Sequence, residues 1–124
     1  MKLPIYENGF SQEEINFGFE KFVEHVENLI LESYKVRWSK DFDLEETPLV
    51  TVSRGRVYWK IITQPRARYS SRQRTVYGFV RKVDGAILKP AGWSAPALNK
   101  ARGFVTDPDF GASCATPFGI RYLN

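Results

Sequence analysis

The sequence has very few of the residues on which most catalytic and metal sites depend. Cys114 is the only cysteine and His25 the only histidine among 124 residues. Neither an intrachain disulfide nor a zinc-binding cysteine pair can therefore form. Nucleophilic triads, Cys–His pairs and histidine-ligated metals need partners that neither residue has beside it in sequence. We therefore expect no enzymatic activity, no cofactor and no bound metal, with a carboxylate-based nuclease as the remaining catalytic alternative.

Long apolar runs are also missing. No stretch approaches the ~20 apolar residues of a membrane-spanning helix, and the first ten residues lack the apolar core of a signal peptide. The length fits a single domain over residues 1–124. We expect a soluble, cytoplasmic domain that makes no membrane contact.

Acidic residues are nearly absent from the middle of the chain. Residues 1–34 carry seven acidic and two basic side chains, whereas residues 54–104 carry twelve basic side chains and a single acidic one, Asp84. Such asymmetry favours a polyanionic partner. The alternative is that the acidic N-terminal element neutralises the basic remainder inside the fold.

The first element is predicted to be an amphipathic helix over residues 12–34. Ser11 and Glu14 have the spacing of a capping box, in which each side chain bonds the other residue's free backbone N–H. Apolar residues then recur at intervals of three and four along one stripe: Ile15, Phe19, Phe22, Val23, Val26, Leu29, Ile30 and Tyr34. Phe17 and Leu31 project from the acidic side instead. They are either isolated exposed apolar residues, which are common on protein surfaces, or a homo-oligomer contact through this helix.

The period changes to two after residue 48, which predicts β-strands. Strands are expected at 49–53, 57–62, 75–83 and 86–89, with Asp84-Gly85 as a hairpin turn and Tyr77, Phe79 and Arg81 on one strand face. Shorter strands are expected at 104–105 and 118–123, and Ser94 is expected to begin a short helix over 95–101. The order predicts an α+β fold: a long N-terminal amphipathic helix packed on an antiparallel sheet of four to six strands, with one short second helix.

Residues 86–103 read Ala-Ile-Leu-Lys-Pro-Ala-Gly-Trp-Ser-Ala-Pro-Ala-Leu-Asn-Lys-Ala-Arg-Gly. The Lys-Pro-Ala strand end, the Trp-x-Ala-Pro-Ala segment and Ala-Arg-Gly resemble a stretch of small uncharacterised proteins from tailed bacteriophages. With the preceding strand and hairpin, the resemblance covers about a quarter of the chain. It implies a phage accessory protein that works in the cytoplasm of an infected bacterium. No activity is established for that group, so the resemblance assigns no functional residue.

Basic and aromatic residues alternate in the strand region, which is typical of proteins that bind single-stranded nucleic acid. Cations follow the phosphates and aromatic rings stack on the bases. The candidate binding residues are Arg56, Tyr58, Lys60, Arg66, Arg68, Tyr69, Arg72, Arg74, Tyr77 and Arg81. At least half of the aromatic residues must instead form the core beneath the helix. Trp93, between two prolines, is expected to be a buried anchor, with an exposed base platform or partner contact as the alternative.

The loop from Gln64 to Arg74 holds four of these arginines. It is either paired with acidic residues from elsewhere in the fold or open to an external anion. We expect a non-enzymatic binder of single-stranded or non-specific nucleic acid. One alternative is a structural or host-interaction protein, such as a virion component or an inhibitor. The other is a binder of a small anionic nucleotide.

Overall fold

A long helix, α1, runs from Gln12 to Trp38 in the computed structural model, which describes residues 4–7, 9–66 and 73–122. The predicted capping box begins it: the Glu14 N–H donates to Ser11 Oγ and the Ser11 N–H donates to Glu14 Oε1, both at 3.1 Å. The helix continues four residues past the predicted end, because the apolar pattern stops at Tyr34 while the backbone bonding does not.

The predicted apolar stripe of α1 is confirmed as the face that packs on the sheet. Phe19, Phe22 and Val26 are fully buried, and Leu29 and Tyr34 pack at its margin. Phe19 stacks on Trp59 with ring centroids 4.3 Å apart. Gly18 lies where the helix passes close to Val105, since a Cβ there would collide with the Val105 carbonyl group. Its lack of a side chain therefore sets how closely the helix can approach.

The fold is α+β, with α1 on one face of a five-stranded antiparallel sheet in the order β1-β2-β3-β4-β5. A second, two-stranded sheet joins β6 to β7. The strands are β1 (Leu49–Arg54), β2 (Tyr58–Gln64), β3 (Thr75–Arg81), β4 (Ala86–Leu88), β5 (Gly103–Phe104), β6 (Ala115–Thr116) and β7 (Gly119–Ile120). The five strands of the main sheet lie within the predicted range of four to six. β6 was not predicted, and β7 is shorter than the predicted 118–123 strand.

A hairpin at Asp84-Gly85 is confirmed, but its turn is longer than the two residues predicted, because β3 ends at Arg81 and β4 begins at Ala86. The Gly85 N–H donates to the Arg81 carbonyl at 2.8 Å, and Gly85 adopts a φ of 73°. That left-handed conformation is easily reached only by a residue without a Cβ. The tight turn brings β4 back beside β3, where Val80 pairs with Ile87.

The prediction that Tyr77 shares a strand face with Phe79 and Arg81 is wrong. The pairing of β2 with β3 is regular from Tyr58↔Arg81 to Ile61↔Gly78 and then slips, so that Ile62 pairs with Val76. Tyr77 is the extra residue of this β-bulge, and it joins the core under α1. A bulge places two consecutive residues against one partner and so breaks the alternation of side chains.

The prediction of a short helix over 95–101 is also wrong. The helical segments in the described part of the chain are α1 and three brief 3-10 turns: Ser39–Asp41, Leu44–Glu46 and Ala112–Cys114. Backbone hydrogen bonds to the sheet region compete successfully with helix formation. The Ala97 N–H donates to the Lys89 carbonyl and the Arg102 N–H to the Ile87 carbonyl, each at 2.8 Å. Residues 89–102 therefore form an extended excursion from β4 to β5, and Arg102 follows no helix.

Candidate nucleic-acid interface

The sheet face that points away from α1, here called the back face, carries a small aromatic and apolar cluster. Phe79 and Leu88 are buried at its centre, and Tyr58 packs at its margin. Tyr58 meets Phe79 edge to face, with centroids 6.0 Å apart. Lys60 follows Tyr58 on the same face and lies directly opposite Phe79 on β3. Predicted residues Tyr58 and Lys60 are therefore brought together.

Trp93 stands beside this cluster, at the centre of the excursion between β4 and β5. The excursion is closed by a bridge between Pro90 and Pro96, and the Ala91 N–H donates to the Ala95 carbonyl at 3.0 Å. The prediction that Trp93 is a buried anchor is wrong, because 44% of its surface remains exposed. Its immediate neighbours are small or polar and exposed themselves, so nothing adjacent in sequence can cover the indole.

Two basic side chains flank the Trp93 indole. Lys60 Nζ lies 4.2 Å from the centroid of the ring, and the guanidinium carbon of Arg74 lies 5.1 Å from it. Lys60 comes from β2 and Arg74 immediately precedes β3. Three separate segments thus contribute one exposed aromatic surface and two cations to a single location. A ring of this kind attracts cations electrostatically, which holds the three side chains together before any ligand arrives.

Arg56 and Arg66 lie elsewhere. Arg56 is exposed in the turn between β1 and β2 and forms no ion pair with any residue in 4–7, 9–66 or 73–122. Arg66 Nε donates to the Thr47 carbonyl at 3.3 Å. Burial and nearby Glu24 raise the pKa of Glu27, while the charge of Arg66 opposes that rise. Arg66 therefore offsets part of the negative charge of α1. This agrees with the alternative that the acidic N-terminal element neutralises the basic remainder inside the fold.

Tyr77 and Arg81 are buried and bonded within the protein. The Tyr77 hydroxyl donates to the Thr116 carbonyl at 2.7 Å, and burial raises its pKa. Arg81 forms a buried ion pair with Asp84, with Nη2 and Oδ2 2.6 Å apart, and donates to the Pro4 carbonyl. Neither side chain is presented at the surface. The remaining candidates, Arg68, Tyr69 and Arg72, lie outside the described residues.

The exposed charges of the two layers have opposite sign. Asp84 is the one acidic residue from Thr47 to Thr106, and it is fully buried against Arg81. The solvent side of α1 carries exposed glutamates at positions 13, 20, 24, 27 and 32. Arg54 faces that layer and bonds Glu20 at 2.8 Å. Lys60 and Arg74, on the other side of the sheet, form no ion pair with a residue that the structure describes.

Cys114 and His25, the only cysteine and the only histidine, have no catalytic or metal-binding partner among the described residues. Burial raises the pKa of the Cys114 thiol to about 12, and its Sγ–H donates to the Gly111 carbonyl. A thiol with that pKa stays protonated near neutral pH and is a poor nucleophile. His25 is half-buried on the flank of α1. Across the described ranges, no three His, Cys, Asp or Glu side chains form a group that could hold a metal ion.

Comparison with protein families gives one match, which extends from residue 9 to residue 117 and carries the description "Family of unknown function (DUF7717)". The chain belongs to this family. No curated protein and no solved structure matches it. The DUF7717 range contains α1, the five-stranded sheet and the whole excursion that presents Trp93. It ends before β7, so Arg121 and Tyr122 lie beyond it.

Within the described residues of this DUF7717 member, no helix is both long enough and apolar enough to cross a membrane. Phe17, predicted to contact another copy, is 56% exposed and meets Phe110 of its own chain edge to face, with centroids 5.7 Å apart. Leu31 is half-buried. The oligomer contact stays a prediction.

Proposed function

We propose that this protein is a non-enzymatic binder of single-stranded or non-specific nucleic acid, and that the strand lies on the back face beside Trp93. The observation that carries the proposal is the exposed Trp93 indole, with Lys60 and Arg74 within 5.1 Å of its centroid. Single-strand binders combine these elements, because an aromatic ring accepts any base and adjacent cations follow the phosphates. Tyr58, half-buried next to Phe79, extends the aromatic surface along β2.

Stacking favours a single strand over a duplex, because the bases of a duplex already stack on one another and their faces are not accessible to a side chain. The charge distribution supports the same face. The glutamates of α1 repel a polyanion, whereas the back face adds cations without exposed carboxylates from residues 47–106. Such a field would both orient the strand and speed its association. Arg56, exposed at the end of the same β-hairpin, would lengthen the path for the backbone.

We further propose, from the resemblance of residues 86–103, that the protein is a phage accessory protein acting in the cytoplasm of an infected bacterium. The residues that carry this resemblance include Trp93 and the two prolines that hold its excursion. The proposed binding residue and the distinctive stretch of sequence thus coincide.

The binding proposal is tested with a fluorescently labelled oligodeoxythymidine and two matched variants. Trp93→Ala should weaken binding by roughly 1–3 kcal/mol, about 5- to 150-fold in Kd, because one stacked base is lost. Trp38→Ala is the control: Trp38 is 49% exposed, close to the 44% of Trp93, but it lies at the end of α1. The control should bind as the unmodified protein does. Equal affinities for all three proteins would contradict the proposal.

The salt dependence of the same titration examines the cations. Lys60→Ala should reduce the slope of log K against log salt by roughly 0.7, the value for one phosphate contact on a single strand. Lys40→Ala removes the same charge from an exposed position outside the back face and should leave the slope unchanged. A defined oligomer without oligonucleotide binding would favour the structural role instead. A co-purified, ultraviolet-absorbing small molecule would favour a nucleotide pocket.

A further inference from the structure

A second cationic site lies apart from Trp93, where the end of the excursion meets the segment after β7. Lys100 and Arg102 from the excursion and Arg121 from the C-terminal segment line a pocket with a volume of about 240 Å³. Ser113 and Tyr122 complete its rim, and buried Cys114 lies at its base. No acidic side chain lines this pocket.

Hydrogen bonds hold two of the three cations, Arg102 and Arg121, in place. The Arg102 N–H donates to the Ile87 carbonyl of β4 and the Arg121 N–H to the Cys114 carbonyl, each at 2.8 Å. Arg121 Nε donates to the Ser113 carbonyl at 2.8 Å. These bonds leave the terminal nitrogens of Arg121 without an acceptor among the residues in 4–7, 9–66 and 73–122. The cations converge because the main chain brings them together, and no counter-charge accounts for their position.

Arg102 has an unmet hydrogen-bonding requirement. Its Nη1 donates to the Asn99 side chain at 3.0 Å and to the Lys100 carbonyl at 2.6 Å. Its Nε is buried and has no partner in the described part of the chain. A buried donor on a charged group costs free energy unless an acceptor is supplied. The guanidinium of Arg102 belongs to a residue that lines the pocket, and an oxyanion is the acceptor that a guanidinium prefers.

The nearest carboxylates are already engaged. Asp109 accepts from the backbone N–H groups of Gly111 and Ser113, at 3.0 and 2.9 Å. Asp107 accepts from the Phe104 N–H at 2.9 Å. Neither forms an ion pair with Arg102 or Arg121 in the described structure. The three cations are therefore not neutralised from within these segments.

We infer that this pocket binds the phosphoryl group of a small phosphorylated molecule or of free phosphate. Two guanidinium groups and one ammonium supply enough positive charge to neutralise a phosphate dianion, and the planar fork of arginine matches its oxygens. The volume lies below the roughly 300–1,000 Å³ of pockets that enclose a drug-sized ligand. The oxyanion would lie among the three cations, and the remainder of a phosphomonoester would extend toward Tyr122, which is 79% exposed. Trp93, Lys60 and Arg74 do not line this pocket, although Ala101 in its wall packs against the back-face cluster. The inference does not depend on the nucleic-acid proposal.

Inorganic phosphate is the first probe, titrated against the melting temperature at constant ionic strength. A ligand that binds only the folded state raises the melting temperature in a saturable way, from which Kd follows. Lys100→Ala should weaken phosphate binding several-fold, and Arg121→Gln roughly tenfold or more, as for a lost charge-assisted hydrogen bond. Arg102→Lys keeps the charge but removes the fork, and it should weaken binding as well. Lys40→Ala and Trp93→Ala should bind phosphate as the unmodified protein does.

Adenosine monophosphate and acetate complete the test. Tighter binding of adenosine monophosphate than of phosphate, abolished in Tyr122→Ala, identifies a phosphomonoester, and equal affinities identify free phosphate. The inference is overturned if phosphate produces no saturable shift, if acetate binds equally well, or if Lys40→Ala weakens binding as much as Lys100→Ala. Because Trp93→Ala serves as a control here, failure of this inference is distinguishable from failure of the nucleic-acid proposal.

Discussion

Single residues decide which side chains the back face presents. Tyr77 is the extra residue of the β-bulge, so its ring enters the core and its hydroxyl bonds the Thr116 carbonyl. Gly78 then faces Ile120, which approaches so closely that a Cβ would meet it at 2.8 Å. Alternation alone assigned Tyr77 to the wrong side, because a bulge interrupts the alternation of side chains along a strand. Gly78 was the one visible signal, since an isolated glycine in a strand often marks a bulge.

The cap at Ser11 is a residue-scale feature with a measurable contribution. Ser11→Ala removes the acceptor for the Glu14 N–H and should lower the free energy of unfolding by ~0.5–2 kcal/mol. Ser94→Ala is the matched control, because Ser94 is exposed and was predicted to cap a helix that does not form. It should leave stability unchanged. Urea denaturation of both variants provides the comparison, and a larger loss for Ser94→Ala would contradict the assigned caps.

Elements whose signals are local were predictable, and elements that depend on distant partners were not. The start of α1 and the turn at Gly85 follow from a few adjacent residues, so both were predicted at the correct positions. Residues 95–101 carry local helix signals too, but the Ala97 and Arg102 N–H groups bond carbonyls of residues 89 and 87. The exposure of Trp93 follows from that excursion, and so the residue that carries the proposed site was assigned to the core.

The hairpin between β3 and β4 depends on the buried pair of Arg81 and Asp84. Burial by itself raises the pKa of Asp84. Hydrogen bonds from Arg81 and from the Tyr6 and Ala86 N–H groups together lower the pKa by more than burial raises it, so the pKa lies below its usual range. A carboxyl group whose pKa is lower in the folded state than in the unfolded state stabilises the fold at pH values above its ordinary pKa. That stabilisation is lost as the pH falls below ~4 toward the folded-state pKa.

Asp84→Asn should accordingly destabilise the protein by about 3–5 kcal/mol at pH 7, because it leaves the charge of Arg81 buried and unpaired. The difference from the unmodified protein should shrink as the pH falls below ~4. Asp41→Asn changes an exposed carboxyl and should be neutral at both pH values. Urea unfolding at pH 7 and pH 3 measures the effect. A difference that stays constant between these pH values would show that the ion pair does not contribute in this way.

At the scale of the whole molecule, the two layers explain the charge asymmetry of the sequence. The acidic N-terminal segment forms α1, and the basic middle of the chain forms the sheet beneath it. Part of the positive charge is used within the fold, as Arg54 bonds Glu20 and Arg81 bonds Asp84. The neutralisation expected of the acidic N-terminal element thus occurs at Arg54, and the polyanionic partner stays a prediction. Lys60 and Arg74 remain on the face away from the helix, beside an exposed indole, and they carry the functional proposal.

Trp93 provides the most direct measurement of that proposal. The chain has three tryptophans, so a ¹⁵N-labelled sample gives three indole N–H signals, which Trp93→Phe and Trp38→Phe variants assign. Trp59 is 3% exposed and Trp38 lies at the end of α1. On titration with an unlabelled single-stranded oligonucleotide, the Trp93 signal should shift in a saturable way while the signals of Trp38 and Trp59 stay in place. An unmoved Trp93 signal at saturating oligonucleotide, or a shift confined to Trp38, would contradict the account.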